Sequence, residues 1–237
     1  MSDTFLVVVS FFTSMFTAIL GIGGGTLLIA AMPGLLPVPA IVPVHGIVQL
    51  ASNASRAAFG WKHAGWRYVW PFVCGALLGV ALGSQIVPKV RWDFLPILLG
   101  VSIFLFTWAP KAARIPELPG KFVILGAVQT FLSLFIGIAG PLSMPFLLRE
   151  GLSRDRLVVT QAMLASATHA LKVITFGFLG FAFLPYLYLI SGMILSTTAG
   201  SFAGTRLRAH LPEALFRKIF KLLITVLALR MILRVAI

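Results

Sequence analysis

Gly21-Ile22-Gly23-Gly24-Gly25-Thr26 interrupts an apolar run, Thr4 to Ser55, in which His45 is the only ionisable side chain. A helical crossing of a bilayer takes about 20 residues, so this run can enter a membrane twice. Glycines near its middle free backbone groups that hydrocarbon cannot satisfy, and that backbone must face protein, water or a ligand. Successive glycines point around a helix, which suits exposed backbone. The alternative is close helix packing, the role expected of Gly75, Gly79 and Gly83 at their four-residue spacing.

The rest of the chain extends this pattern. Its 237 residues are 59% hydrophobic and 11% charged, with a mean hydropathy of +1.02, far from the balance of a soluble domain. A polytopic membrane protein is the class that fits. The net charge of +13 does not point to nucleic acid, because the basic residues sit in short clusters between apolar spans and not along one face. Cys74, the single cysteine, lies within an apolar span and offers neither a disulfide framework nor a thiol metal site. Asp3 precedes the first run and no Lys or Arg does, the wrong polarity for a signal peptide, so this segment is expected in the mature protein.

Eight apolar segments follow: Phe5 to Met32, Ala40 to Gly60, Tyr68 to Val87, Phe94 to Ala109, Phe122 to Leu148, Leu157 to Phe178, Leu184 to Ala203 and Leu215 to Val235. A polar, proline-rich linker at 115–120 divides them into an N-terminal repeat, 1–114, and a C-terminal repeat, 121–237, of one membrane domain. The halves align at an offset of 116 residues. Gly21-Ile22-Gly23-Gly24-Gly25-Thr26 then faces Gly137-Ile138-Ala139-Gly140-Pro141-Leu142, His45 faces Gln161, Asn53 faces His169 and Arg56 faces Lys172. Repeats with broken segments at matching places mark secondary transporters. The fold class read here is all-α and polytopic, with two four-segment repeats in inverted orientation, each opening with a glycine-broken segment, re-entrant or discontinuous.

Charge decides between those two forms. If every segment spans, Lys and Arg divide nearly evenly between the two sides. If both broken segments dip in and return, only Lys89, Arg91, Arg230 and Arg234 fall on the minority side, as the positive-inside rule prefers, and both termini lie outside. Length keeps the other form open: Phe5 to Leu20 and Thr26 to Met32 placed end to end, about 24 Å and about 10 Å of helix, would also cross the core.

All six acids, Asp3, Asp93, Glu117, Glu150, Asp155 and Glu213, fall at termini or connections, so no span carries a carboxylate. Inside are His45, Gln49, Asn53 and Arg56, on one helical face by steps of four, four and three, and a looser stripe of Gln161, Thr168, His169 and Lys172. Intramembrane cations face a cavity or a partner, and without an acid the natural partner is an anion. Snorkelling to the interface is an equal alternative for Arg56, and a plain buried histidine for His45; Lys172, deeper in its segment, favours the cavity. Broken helices add N–H groups and a positive dipole end near Gly23, Gly24, Gly25 and Thr26, and near Gly140 and Ser143. Trp61, Trp66, Tyr68, Trp70, Trp92, Trp108, Tyr186 and Tyr188 stand at segment ends as an interfacial belt. No catalytic, cofactor or phosphate-loop motif is present, which argues against an enzyme and calls for no cofactor or metal.

With both glycine clusters and the run Pro43-Val44-His45-Gly46-Ile47-Val48-Gln49-Leu50-Ala51-Ser52-Asn53, the chain resembles the sulfite exporter TauE/SafE family over nearly its full length. The resemblance implies transport of sulfur-containing anions, such as sulfite, thiosulfate, sulfoacetate or related sulfonates, across the cell inner membrane. Ala139 and Pro141 depart from a full glycine run and put equal contributions from the halves in doubt. Coupling to a proton through His45 and His169, or to sodium, is compatible with these residues. An anion channel and a non-transporting membrane assembly component are the alternative functions.

Overall fold

The computed structural model describes residues 2–90, 94–108, 118–137 and 140–208, together with residue 225. The regular elements among them are helical: α1 (Ser2–Leu20), α2 (Gly24–Ala31), α3 (Val38–Phe59), α4 (Trp66–Ile86), α5 (Leu95–Trp108), α6 (Lys121–Ile136), α7 (Gly140–Arg149), α8 (Arg154–Phe178) and α9 (Leu187–Leu207). The eighth apolar segment, Leu215 to Val235, apart from residue 225, lies outside the described residues, as do Arg91, Ile138, Ala139 and the first half of the 115–120 linker.

Among the described residues, Asp3–Leu20, Trp66–Lys89, Arg154–Phe178 and Leu184–Leu207 are long and apolar enough to cross a membrane. Large apolar side chains face outward, and polar ones are buried beside the apolar core. Phe5, Val8 and Phe12 on α1, Leu77, Leu78, Leu82 and Ile86 on α4, and Leu195 and Phe202 on α9 are exposed. Ser10, Thr13, Ser14 and Thr17 on α1, with the polar residues of α3 and α8, are buried. Continuous apolar surface of this kind is disfavoured in water and is the stable arrangement in lipid. The chain is a multi-pass membrane protein.

Both broken segments double back. Gly21 and Gly23 adopt φ of 85° and 105°, which a side chain would resist, and α2 then lies alongside α1. A methyl group on Gly24 would collide with the Thr13 carbonyl and the Thr17 hydroxyl, so the close approach requires glycine there. In the second segment Gly137, at φ 69°, closes α6 by donating to the Ser133 carbonyl at 3.0 Å. Lys121, the first residue of α6, and Glu150, just after α7, meet in an ion pair of 2.6 Å. The pieces of each pair are therefore side by side, not end to end. The hairpins also interleave: methyls on Gly21 and Gly137 would press against Met144 of α7 and Ile29 of α2, respectively.

Helices α3 and α8 pack on each other, with α9 beside α3 and α4 beside α8. The outer pairs, α4 with α6 and α1 with α9, are joined by small residues. Methyls on Gly75 and Gly79 would strike the backbone at Val123 and Ala127, and methyls on Gly200 and Gly204 the backbone at Phe11 and Met15.

The basic connections gather at one end. Arg154 donates to the Ile19 carbonyl (3.2 Å) at the end of α1 and to the Arg208 carbonyl (3.3 Å) at the end of α9. The Gly65 N–H donates to Thr160 of α8 (2.9 Å), and Glu150 draws Arg67 to 3.9 Å as well as Lys121. Burial raises the proton affinity of Glu150, but hydrogen bonds from Lys121 and Tyr68 and the charges of Lys121 and Arg67 outweigh it and hold the carboxyl below its ordinary value. Lys62, Arg67, Lys121, Arg149, Arg154, Arg156, Arg206 and Arg208 all lie at this end, and Lys89, beyond α4, lies at the other.

Candidate functional site

The two hairpins bring their breaks to the α3–α8 contact. Nε2 of His45 lies 2.8 Å from the Gly25 carbonyl; a carbonyl only accepts, so Nε2 carries the proton, and the buried Nδ1 has no partner. The ring of His169 stands 5.8 Å from that of His45 in an edge-on arrangement. Lys172 donates from Nζ to the Gly137 carbonyl (2.9 Å) and to Nδ1 of His169 (3.2 Å). Gly46 makes room for it, since a methyl there would stand 3.0 Å from Lys172 Cδ. Lys172, His45 and His169 are 0%, 1% and 3% exposed, so the cluster is closed to both ends.

From His45 the polar face of α3 runs toward the basic end. Gln49 abuts Gly25, whose added methyl would lie 2.8 Å from Oε1. Asn53 donates to the Gln49 carbonyl (2.7 Å), and Arg56 donates to Asn53 Oδ1 (3.1 Å), Ser52 Oγ (3.1 Å) and the Ser52 carbonyl (3.3 Å). Placing a charge in a membrane costs about 2.5–3.5 kcal/mol on insertion scales. Yet neither Lys172 nor Arg56 takes part in an ion pair among the described residues. Both cations are held by neutral acceptors, an arrangement that leaves their charge available to an anion.

The stripes read from the sequence thus converge: His45, Gln49, Asn53 and Arg56 are buried on α3, and Gln161, Thr168, His169 and Lys172 on α8. The breaks meet them through carbonyls, those of Gly25 and Gly137. Gly23 caps α2, with no side-chain capping bond, and Gly24 is occupied by its approach to α1. Thr26 is buried, Gly140 opens α7, and Ser143 is buried with its hydroxyl unpartnered.

Polar clusters not singled out in the sequence flank this centre. Ser14 Oγ lies 2.7 Å from Ser52 Oγ, Ser201 Oγ and the Thr197 carbonyl, joining α1, α3 and α9. Across the bundle Gln129 donates to Thr168 (3.2 Å), and Thr130 lies 3.4 Å from the same hydroxyl. The signal was present as Ser10, Thr13, Ser14 and Thr17 at helical spacing, although Ser and Thr are too common in membrane helices for spacing alone to mark a site.

No curated protein and no solved structure matches the chain. A family model described as Sulfite exporter TauE/SafE matches residues 6–231, nearly the whole length. The chain therefore belongs to the sulfite exporter TauE/SafE family of membrane transporters of sulfur-containing anions, which are not enzymes.

Proposed function

We propose that the protein carries a small sulfur oxyanion, with sulfite, thiosulfate, sulfoacetate and related sulfonates as the candidate class, by alternating access around the His45–His169–Lys172 cluster. The observation that carries this reading is a fully buried lysine with no ion pair, set where both helix breaks meet. In the loaded state Lys172 exchanges the Gly137 carbonyl for the anion. His45 joins Lys172 only once its unpartnered Nδ1 takes up a proton and becomes a donor, and Ser143, Gln49, Asn53, Gln161 and the N–H groups at Gly23 to Thr26 and Gly140 complete the donor set. His45 and His169 are the candidates for proton coupling, with sodium the competing ion. A cluster closed to both ends suits a carrier better than an open channel.

Two inverted repeats, 1–114 and 121–237, supply the moving parts in this reading, and several paired contacts support them. Ser14 with Ser52 is matched at an offset of 116 by Thr130 with Thr168, and Asn53 with Arg56 by His169 with Lys172. On α4 and α9 the offset is 121, in keeping with the longer connection after α8: Gly79 approaches Ala127 where Gly200 approaches Phe11, and Gly83 approaches Leu134 where Gly204 approaches Ala18. The basic end is assigned to the cytoplasm of a cell inner membrane, which puts both termini outside.

The test is counterflow of labelled sulfite in proteoliposomes. Saturable uptake accelerated by internal sulfite is expected, and ion conductance without counterflow would replace the carrier with a channel. A periplasm-active reporter fused after Ile237 should be active; a reporter active only in the cytoplasm overturns the orientation.

A further inference from the structure

The polar face of α3 continues past the central cluster. Through Gln49 and Asn53 it reaches Arg56, one turn before the helix ends, and there meets a pocket of about 180 Å³. Arg56, His63, Asp155, Thr205 and Arg208 line it over an apolar wall. Arg56 is 2% exposed, and its Nε has no partner, although Nη1 and Nη2 are engaged by Asn53 and Ser52. Arg208 is paired with Asp155 and also donates to the Ala18 carbonyl at 3.5 Å. Asp155 is the only carboxylate among the lining residues and is taken by Arg208, so the charge of Arg56 has no counter-ion.

We propose that this pocket is a second anion station, which holds a small oxyanion at the basic end of the bundle on its way to or from the central cluster. Arg56 and Arg208 bind the anion, and Asp155 is the internal counter-ion that it displaces from Arg208. The inference rests on the anion-transport reading above. Its physical basis is that a desolvated guanidinium with a free donor, beside a second guanidinium, favours a planar or pyramidal oxyanion over water. Displacement has a mechanical consequence too. Arg154 and Arg208 tie α8 and α9 to the end of α1, so releasing Asp155 loosens the point where these three helices converge.

Isothermal titration of the full chain in nanodiscs with sulfite tests the station. In Lys172→Gln, which removes the central charge, one saturable site is expected to remain. Adding Arg56→Gln should abolish it, and adding Asp155→Asn instead should tighten it about fivefold, the size of one exposed ion pair. No remaining site in Lys172→Gln, or a remaining site indifferent to both second substitutions, overturns the proposal. Should Arg56→Gln not fold, Asp155→Asn at its half-exposed carboxylate decides the matter alone. Wild-type binding in Lys172→Gln that is lost in Arg56→Gln would sink the central site and leave the pocket standing.

Discussion

Arg56 and Lys172 occupy matched places on α3 and α8, each three residues after a polar side chain that it contacts, yet their surroundings differ. Lys172 is followed by six more residues of helix and turns into the bundle, to the Gly137 carbonyl and His169. Arg56 is followed by three, is held by acceptors of its own helix, and lines a pocket at the basic end. Helix length beyond the cation makes the difference: a longer tail seals Lys172 in, and a shorter one leaves Arg56 at a mouth. The comparison teaches that two similar polar stripes leave one cation in the middle of the bundle and the other beside a pocket at its basic end.

The largest expected effect separates these roles. Lys172→Gln should lower sulfite counterflow at least about tenfold, the cost of one lost charge-assisted contact of roughly 1.5–3 kcal/mol, while Tm stays level or rises because a buried charge has gone. Arg56→Gln should chiefly raise the half-saturation concentration. Equal transport defects in the two variants would erase the distinction.

An intermediate effect compares the outer helix pairs of the two halves. Gly79→Leu and Gly200→Leu each drive a side chain into a facing backbone, at Ala127 and Phe11, and each should destabilise by about 1–3 kcal/mol, read as a fall in Tm. Gly151→Ala meets nothing within 4 Å and pays only for its φ of 63°, so its loss should be smaller, about 1 kcal/mol. Sharply unequal losses at positions 79 and 200 would argue that the halves are not packed alike.

The smallest effect concerns the hairpin bases. The second hairpin is clasped by Lys121 and Glu150, whereas the positions 116 residues earlier are Phe5 and Gly34, which cannot form such a pair. Because Glu150 is held below its ordinary value of 4.5, its stabilisation is present above that pH and is lost as pH falls through the lower folded-state value. Glu150→Gln should therefore melt slightly below wild type at neutral pH, with the gap closing in acid. A gap that widens in acid would reverse the assignment.

Much of this architecture was legible in the chain itself. Hydropathy fixed the apolar segments, because a helix in lipid has to be apolar over its whole exposed face, and seven of the eight fall on described helices. Spacing fixed the α3 stripe, since steps of three and four keep His45, Gln49, Asn53 and Arg56 on one face. Less could be read about the glycine clusters: both packing and exposed backbone were consistent with Gly24, and its contact with Thr13 depends on how tightly α2 lies against α1. The Arg208–Asp155 pair was equally hidden, because residues at the ends of different helices carry no mutual spacing signal.

By itself, then, the sequence determined a membrane-embedded helical chain whose apolar segments carry neutral polar and cationic side chains but no carboxylate, because transfer into lipid selects residues one at a time. The distribution of basic residues already favoured breaks that fold back; tertiary structure alone decided that their carbonyls face His45 and Lys172, and that Arg56 lines a pocket. Those are distances between residues remote in the chain, set by the joint packing of several helices, and no local preference encodes them.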